Sequence, residues 1–77
     1  MIGERFRVAR ARKNLTLRDV AAACDCTAQA VHKWEDGSQL PNSRRLMTFI
    51  RLTDVSAEWL LDPDPLDFKL VARRAAQ

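Results

Sequence analysis

Apolar residues recur three and four positions apart along most of the chain, the spacing of amphipathic helices, and no stretch alternates long enough to suggest a strand. Ile2, Phe6 and Ala9, separated by Glu and Arg, predict a helix over 2–13 that Asn14 ends in a left-handed position. Thr16 followed three residues later by Asp19 has the form of a capping box, here with the shorter acid. It opens a second helix over Leu17–Cys24 whose buried face is Val20, Ala21 and Cys24. Asp25 and Cys26 leave room for only a tight corner before Thr27, the N-cap of a third helix that runs through Glu35 and stops at Gly37. After a loop containing Pro41, Ser43 caps a fourth helix with Leu46, Phe49, Ile50 and Leu52 as its apolar set. Ser56 caps a short fifth helix ending at Leu61. The sequence Asp62-Pro63-Asp64-Pro65 is a stiff break. Beyond it, either a sixth helix capped by Asp64 and carrying Leu66, Phe68, Leu70 and Val71, or a frayed tail, completes the chain.

Two short helices joined by so tight a corner cross steeply, and only small side chains let their backbones approach. Ala21, Ala22, Ala23, Ala28 and Ala30 supply them, which is the spacing of a helix-turn-helix. With no Tyr and only two Gly, the composition favours helices over strands. The expected fold is all-α, a compact five-helix bundle over 1–61 with a C-terminal extension over 62–77. At 77 residues there is space for one small domain and none for a two-lobed enzyme.

Charge divides the chain more sharply than its net value of +3 suggests. Residues 1–51 hold ten Lys/Arg against five acids, whereas residues 52–68 hold five acids and no base. A polyanion would meet the first two thirds and be repelled by the acidic stretch after them; ordinary surface solvation gives the same pattern without a partner. No apolar run nears the ~20 residues of a membrane span, and Glu4 and Arg5 stand where a signal peptide would begin its apolar stretch. A cytoplasmic, nucleoid-associated location without membrane contact is expected.

Candidate chemistry is sparse. Cys24 and Cys26 have only His32 near them in sequence, short of the four ligands of a structural zinc site, so no metal is expected. There is no Gly-rich phosphate loop, and Cys24 with His32 is the one nucleophile–base pair available. The helix reading buries that thiol, so the chain is expected not to be an enzyme and to need no cofactor.

In order and spacing, several segments resemble the phage repressor and Cro family, the lambda repressor-like DNA-binding domain type. They are Ile2-Gly3-Glu4-Arg5-Phe6-Arg7, Leu15 to Ala21, Thr27 to Gly37, Pro41, and Val55 to Leu61. The resemblance implies an ion pair between Arg10 and Glu35 that ties the first helix to the third, although Arg10 also has the option of facing a phosphate. It implies a recognition helix whose outward side, Ala28, Gln29, His32 and Lys33, reads base edges in a major groove, with Val31 and Trp34 turned to the core. Gln29 suits adenine N6/N7, Lys33 suits guanine O6/N7 or a phosphate, Ala28 a thymine methyl, and His32 a base edge; a pH-sensing role is a further reading of His32. Phosphates are expected at the N-termini of the second and fourth helices, that is at Thr16, Leu17 and Arg18 and at Asn42, Ser43 and Arg44, with Thr27 and Lys13 as additional contacts and Arg45 simply solvated. The sequence departs from the family's pattern in Leu17, where Gln is usual, in Asp25, which replaces a turn Gly, and in Asp36, which would repel DNA.

The function this implies is sequence-specific double-stranded DNA binding by a bacterial or phage transcriptional regulator, in repressor mode. The chain would pair as a homodimer at least on DNA, over a palindromic operator. An antitoxin-like protein that masks a toxin, or the DNA-binding module of a longer regulator with an effector domain, is the alternative. Val55, Trp59, Leu60, Phe68 and Val71 are apolar beyond what five short helices need. They form either the dimer contact or, for Trp59 and Leu60, the end of the monomer core.

Overall fold

The computed structural model describes residues 2–63. Within them the chain forms five helices and no strand: α1 (Ile2–Arg12), α2 (Leu17–Cys24), α3 (Ala28–Glu35), α4 (Ser43–Thr53) and α5 (Ala57–Leu60). The proposed sixth helix, with Phe68 and Val71, lies outside the described residues.

Local chemistry sets nearly every boundary. Lys13 and Asn14 close α1 with N–H bonds back to the carbonyls of Arg10 and Ala11, and Asn14 takes a positive φ of 55°. Thr16 and Asp19 form the reciprocal box, the hydroxyl accepting from the Asp19 N–H at 3.1 Å and the carboxylate from the Thr16 N–H at 2.8 Å. Thr27 and Ser56 cap α3 and α5 through their hydroxyls. The fourth helix starts differently from the sequence reading: Asn42 is the cap, accepting from the Arg45 N–H at 2.9 Å, and Ser43 is the first helical residue. Both residue types cap well. The one whose side chain faces the third helical amide takes the role.

The core is an aromatic cluster shared by three helices. Phe6 of α1 lies 4.9 Å from Phe49 of α4 and 6.1 Å from Trp34 of α3, centroid to centroid, and Trp34 meets Phe49 edge-on at 6.4 Å. Val20, Ala21 and Cys24 of α2 and Val31 of α3 complete it, so each helix buries one stripe. Val55, Trp59 and Leu60 belong to the same core at 8%, 4% and 0% exposure. Trp59 and Leu60 thus pack as part of the monomer core, and Val55, named in the sequence only as a dimer contact, packs with them.

Arg5 is buried on this apolar side. It donates to the Trp59 carbonyl at 2.9 Å, its guanidinium sits 5.3 Å from the Trp59 ring centroid, and Asp62 lies 3.9 Å away. α1 and α5 are joined there. The sequence carried a sign of this: Arg5 is three residues after Ile2 and four before Ala9, on the apolar stripe of α1.

Candidate nucleic-acid interface

At the corner between α2 and α3, Asp25 adopts the left-handed conformation (φ 56°, ψ 52°). The Asp25 and Cys26 N–H groups both reach back to the Ala21 carbonyl. A non-Gly residue there costs about 1 kcal/mol, least for Asn and Asp, whose short side chains bond locally. Thr27 comes next in the chain, so α3 leaves the corner with its direction already set.

The two sides of α3 separate cleanly. Val31 and Trp34 are buried, while Gln29 and His32 are exposed and Lys33 is half-buried. Ala28 is half-buried, as Lys33 is, and packs against the edge of the core. Asp36 stays on the exposed side but is engaged locally, accepting from the Ser38 N–H at 2.8 Å and lying 4.0 Å from His32. The Ser38 hydrogen bond holds its carboxyl below the usual range.

Arg10 and Glu35 meet as a fork: Nε donates to Oε2 at 2.6 Å, Nη2 to Oε1 at 3.1 Å, and Nη1 to the Leu15 carbonyl at 2.9 Å. The Glu35 side chain is 8% exposed, and its hydrogen bonding raises the Arg10 pKa above its ordinary value against the opposing effect of burial. A guanidinium with three nitrogens already committed has little left for a phosphate. Its work is to hold α1, the loop at Leu15 and the end of α3 together.

Gly3 adds to that joint. A Cβ there would run into the Glu35 carbonyl oxygen and stand 2.8 Å from its carbon and 2.9 Å from the Gly37 nitrogen. Only hydrogen fits between α1 and the end of α3. A lone Gly inside a helical pattern was the available signal.

Of the proposed phosphate contacts, Thr16, Arg18, Thr27, Lys13, Asn42, Ser43 and Arg44 are exposed, whereas Leu17 is half-buried and packs on the core. The two helix starts are unequal. Asp19 places a negative charge in the first turn of α2, while α4 has no acid in its first turn and carries Arg44 there. The positive pole of α4 is therefore the better anion site.

Arg45 is not simply solvated. It reaches from α4 to the corner, donating through Nε to the Cys24 carbonyl at 3.3 Å and through Nη2 to the Asp25 carbonyl at 2.9 Å. The Cys24 thiol, in turn, contacts the Arg45 carbonyl at 3.8 Å. Burial pushes the Cys24 and Cys26 thiols up. No group of three or more His, Cys, Asp or Glu among the described residues is placed to hold a metal, and no described helix is long and apolar enough to cross a membrane.

A family model for the helix-turn-helix domain matches residues 2–60. No curated protein and no solved structure matches the chain.

Proposed function

The chain belongs to the helix-turn-helix domain family, and from that premise we propose that it is a sequence-specific double-stranded DNA-binding regulator of the repressor and Cro type, bacterial or phage in origin. The observation that carries the reading is the division of α3. Gln29 and His32 stand exposed on a helix whose opposite side is anchored by Val31 and Trp34, and the basic start of α4 comes after it in the chain. Helix-turn-helix domains lay this second helix in the major groove, where a Gln amide pairs bidentately with adenine.

In this reading Gln29 is the main base reader, His32 and Lys33 assist, and Arg44 with the first turn of α4 grips a phosphate. The protein acts by binding and not by catalysis, in keeping with a Cys24 thiol buried in the core. So few base readers call for a second half-site, hence a homodimer on a palindromic operator. Val55, Trp59 and Leu60, packed in the core of the bundle, are left out of that contact in this reading.

The test begins by selecting bound sites from a random duplex pool and comparing two variants on the winner. Gln29→Ala should cost about 1–3 kcal/mol on the selected site and little on random DNA. Arg44→Ala should weaken both alike and flatten the log–log salt dependence by about 0.9. Equal losses on selected and random DNA for both variants would refute the assigned roles.

A further inference from the structure

The corner that aims α3 is built with a borrowed cation. α2 has no basic residue in its last turn, and the carbonyls of Cys24 and Asp25 point away from their own helix at its negative pole. Arg45 supplies the missing charge from α4, spanning both carbonyls with one planar fork, and the contact between the Cys24 thiol and the Arg45 carbonyl runs between the same two residues. The Arg45 N–H is itself held by the cap Asn42. One residue thus links the first turn of α4 to the corner, and only Cys26 and Thr27 separate that corner from α3.

We propose that Arg45 is a positioning residue for DNA recognition: it sets the spacing between the start of α3 and the phosphate-binding start of α4, so that base readers and phosphate grip meet one duplex in register. The proposal rests on the DNA-binding function proposed for this chain. Its neighbour Arg44, exposed and one residue earlier, is the contact residue; Arg45 acts through the backbone it holds. An ammonium is a single point and cannot reproduce a fork across two successive carbonyls, so charge alone does not suffice.

The discriminating variant is Arg45→Lys, which keeps charge and most of the stem, with Arg45→Met beside it and retained helical circular dichroism confirming the fold. Two readouts apply to the full chain. In binding, Arg45→Lys should lower the ratio of selected-site to random-DNA affinity about tenfold, the equivalent of one base-edge contact, without changing the salt slope. In the free protein, hydrogen exchange at the Asp25 and Cys26 amides should speed up severalfold while the Phe49 amide keeps its rate.

A flattened salt slope with an unchanged ratio would make Arg45 a phosphate contact and overturn the proposal. So would full rescue by Lys, or a uniform rise in exchange across all helices. Should the unaltered protein select no DNA, the functional reading falls by itself, and the exchange measurement alone decides whether Arg45 governs the corner.

Discussion

Replacing Gly3 with Ala sets two physical effects against each other with opposite signs. Within a helix, Gly→Ala ordinarily stabilises by up to about 1 kcal/mol, because Gly loses more backbone freedom on folding. At position 3 the added methyl would collide with backbone, the Glu35 carbonyl and the Gly37 nitrogen, which cannot rotate aside as a side-chain tip would. Overpacking of this kind costs about 1–3 kcal/mol, and a rigid opponent places it toward the upper end. The net expectation is a loss of about 1–2 kcal/mol, or a melting temperature lower by roughly 5–15 °C for a domain of this size. Urea unfolding followed by helical circular dichroism gives the midpoint, and an unchanged m-value would show that the folded state, not the denatured ensemble, absorbed the change. Ala11→Gly, at an exposed position of the same helix, calibrates the propensity effect and should cost about 1 kcal/mol. A Gly3→Ala protein as stable as its parent, or more so, would refute the close approach of α1 to the end of α3.

The same joint and the start of α2 give two further expected outcomes. Glu35→Ala leaves the part-buried Arg10 guanidinium with only the Leu15 carbonyl and should cost about 2–4 kcal/mol, somewhat under the usual loss for a fully buried pair because Arg10 is 19% exposed. A thermal shift no larger than that of a surface substitution would show the fork to be ornamental. The Asp19 carboxyl is held below its ordinary pKa by the Thr16 N–H and hydroxyl, so its contribution to stability is present above the ordinary carboxylate range and is lost as pH falls through the depressed value. Asp19→Ala should therefore lower stability at neutral pH and narrow the gap between melting temperatures at pH 7 and at strongly acidic pH; an unaltered gap would argue against the capping box.

What was legible in the sequence was local chemistry. The Thr16–Asp19 box, the Thr27 and Ser56 caps and the left-handed Asn14 are each decided within four residues, and these set the helix limits. The choice between Asn42 and Ser43 was not legible, since both satisfy the same rule and the packing of α4 selects one. Gly3, Arg5 and Arg45 take their meaning from partners twenty or more residues away, the end of α3, the end of α5 and the end of α2. Their residue types offered only an anomaly: a Gly in a helix, an Arg on an apolar stripe, a helix end without a cation. For the site itself, periodicity sorted Gln29 and His32 from Val31 and Trp34 correctly. The partial burial of Ala28 was not legible, because a small residue beside a tight corner can sink toward the core without breaking the pattern.

The lock between Arg5, the Trp59 carbonyl and Asp62 also fixes how this unit can be wired into a larger polypeptide. The backbone at residue 5 and at residues 59–62 lies within one arginine's reach, so a host protein could carry the segment 5–62 spliced into a surface hairpin, with no linker long enough to cross its diameter.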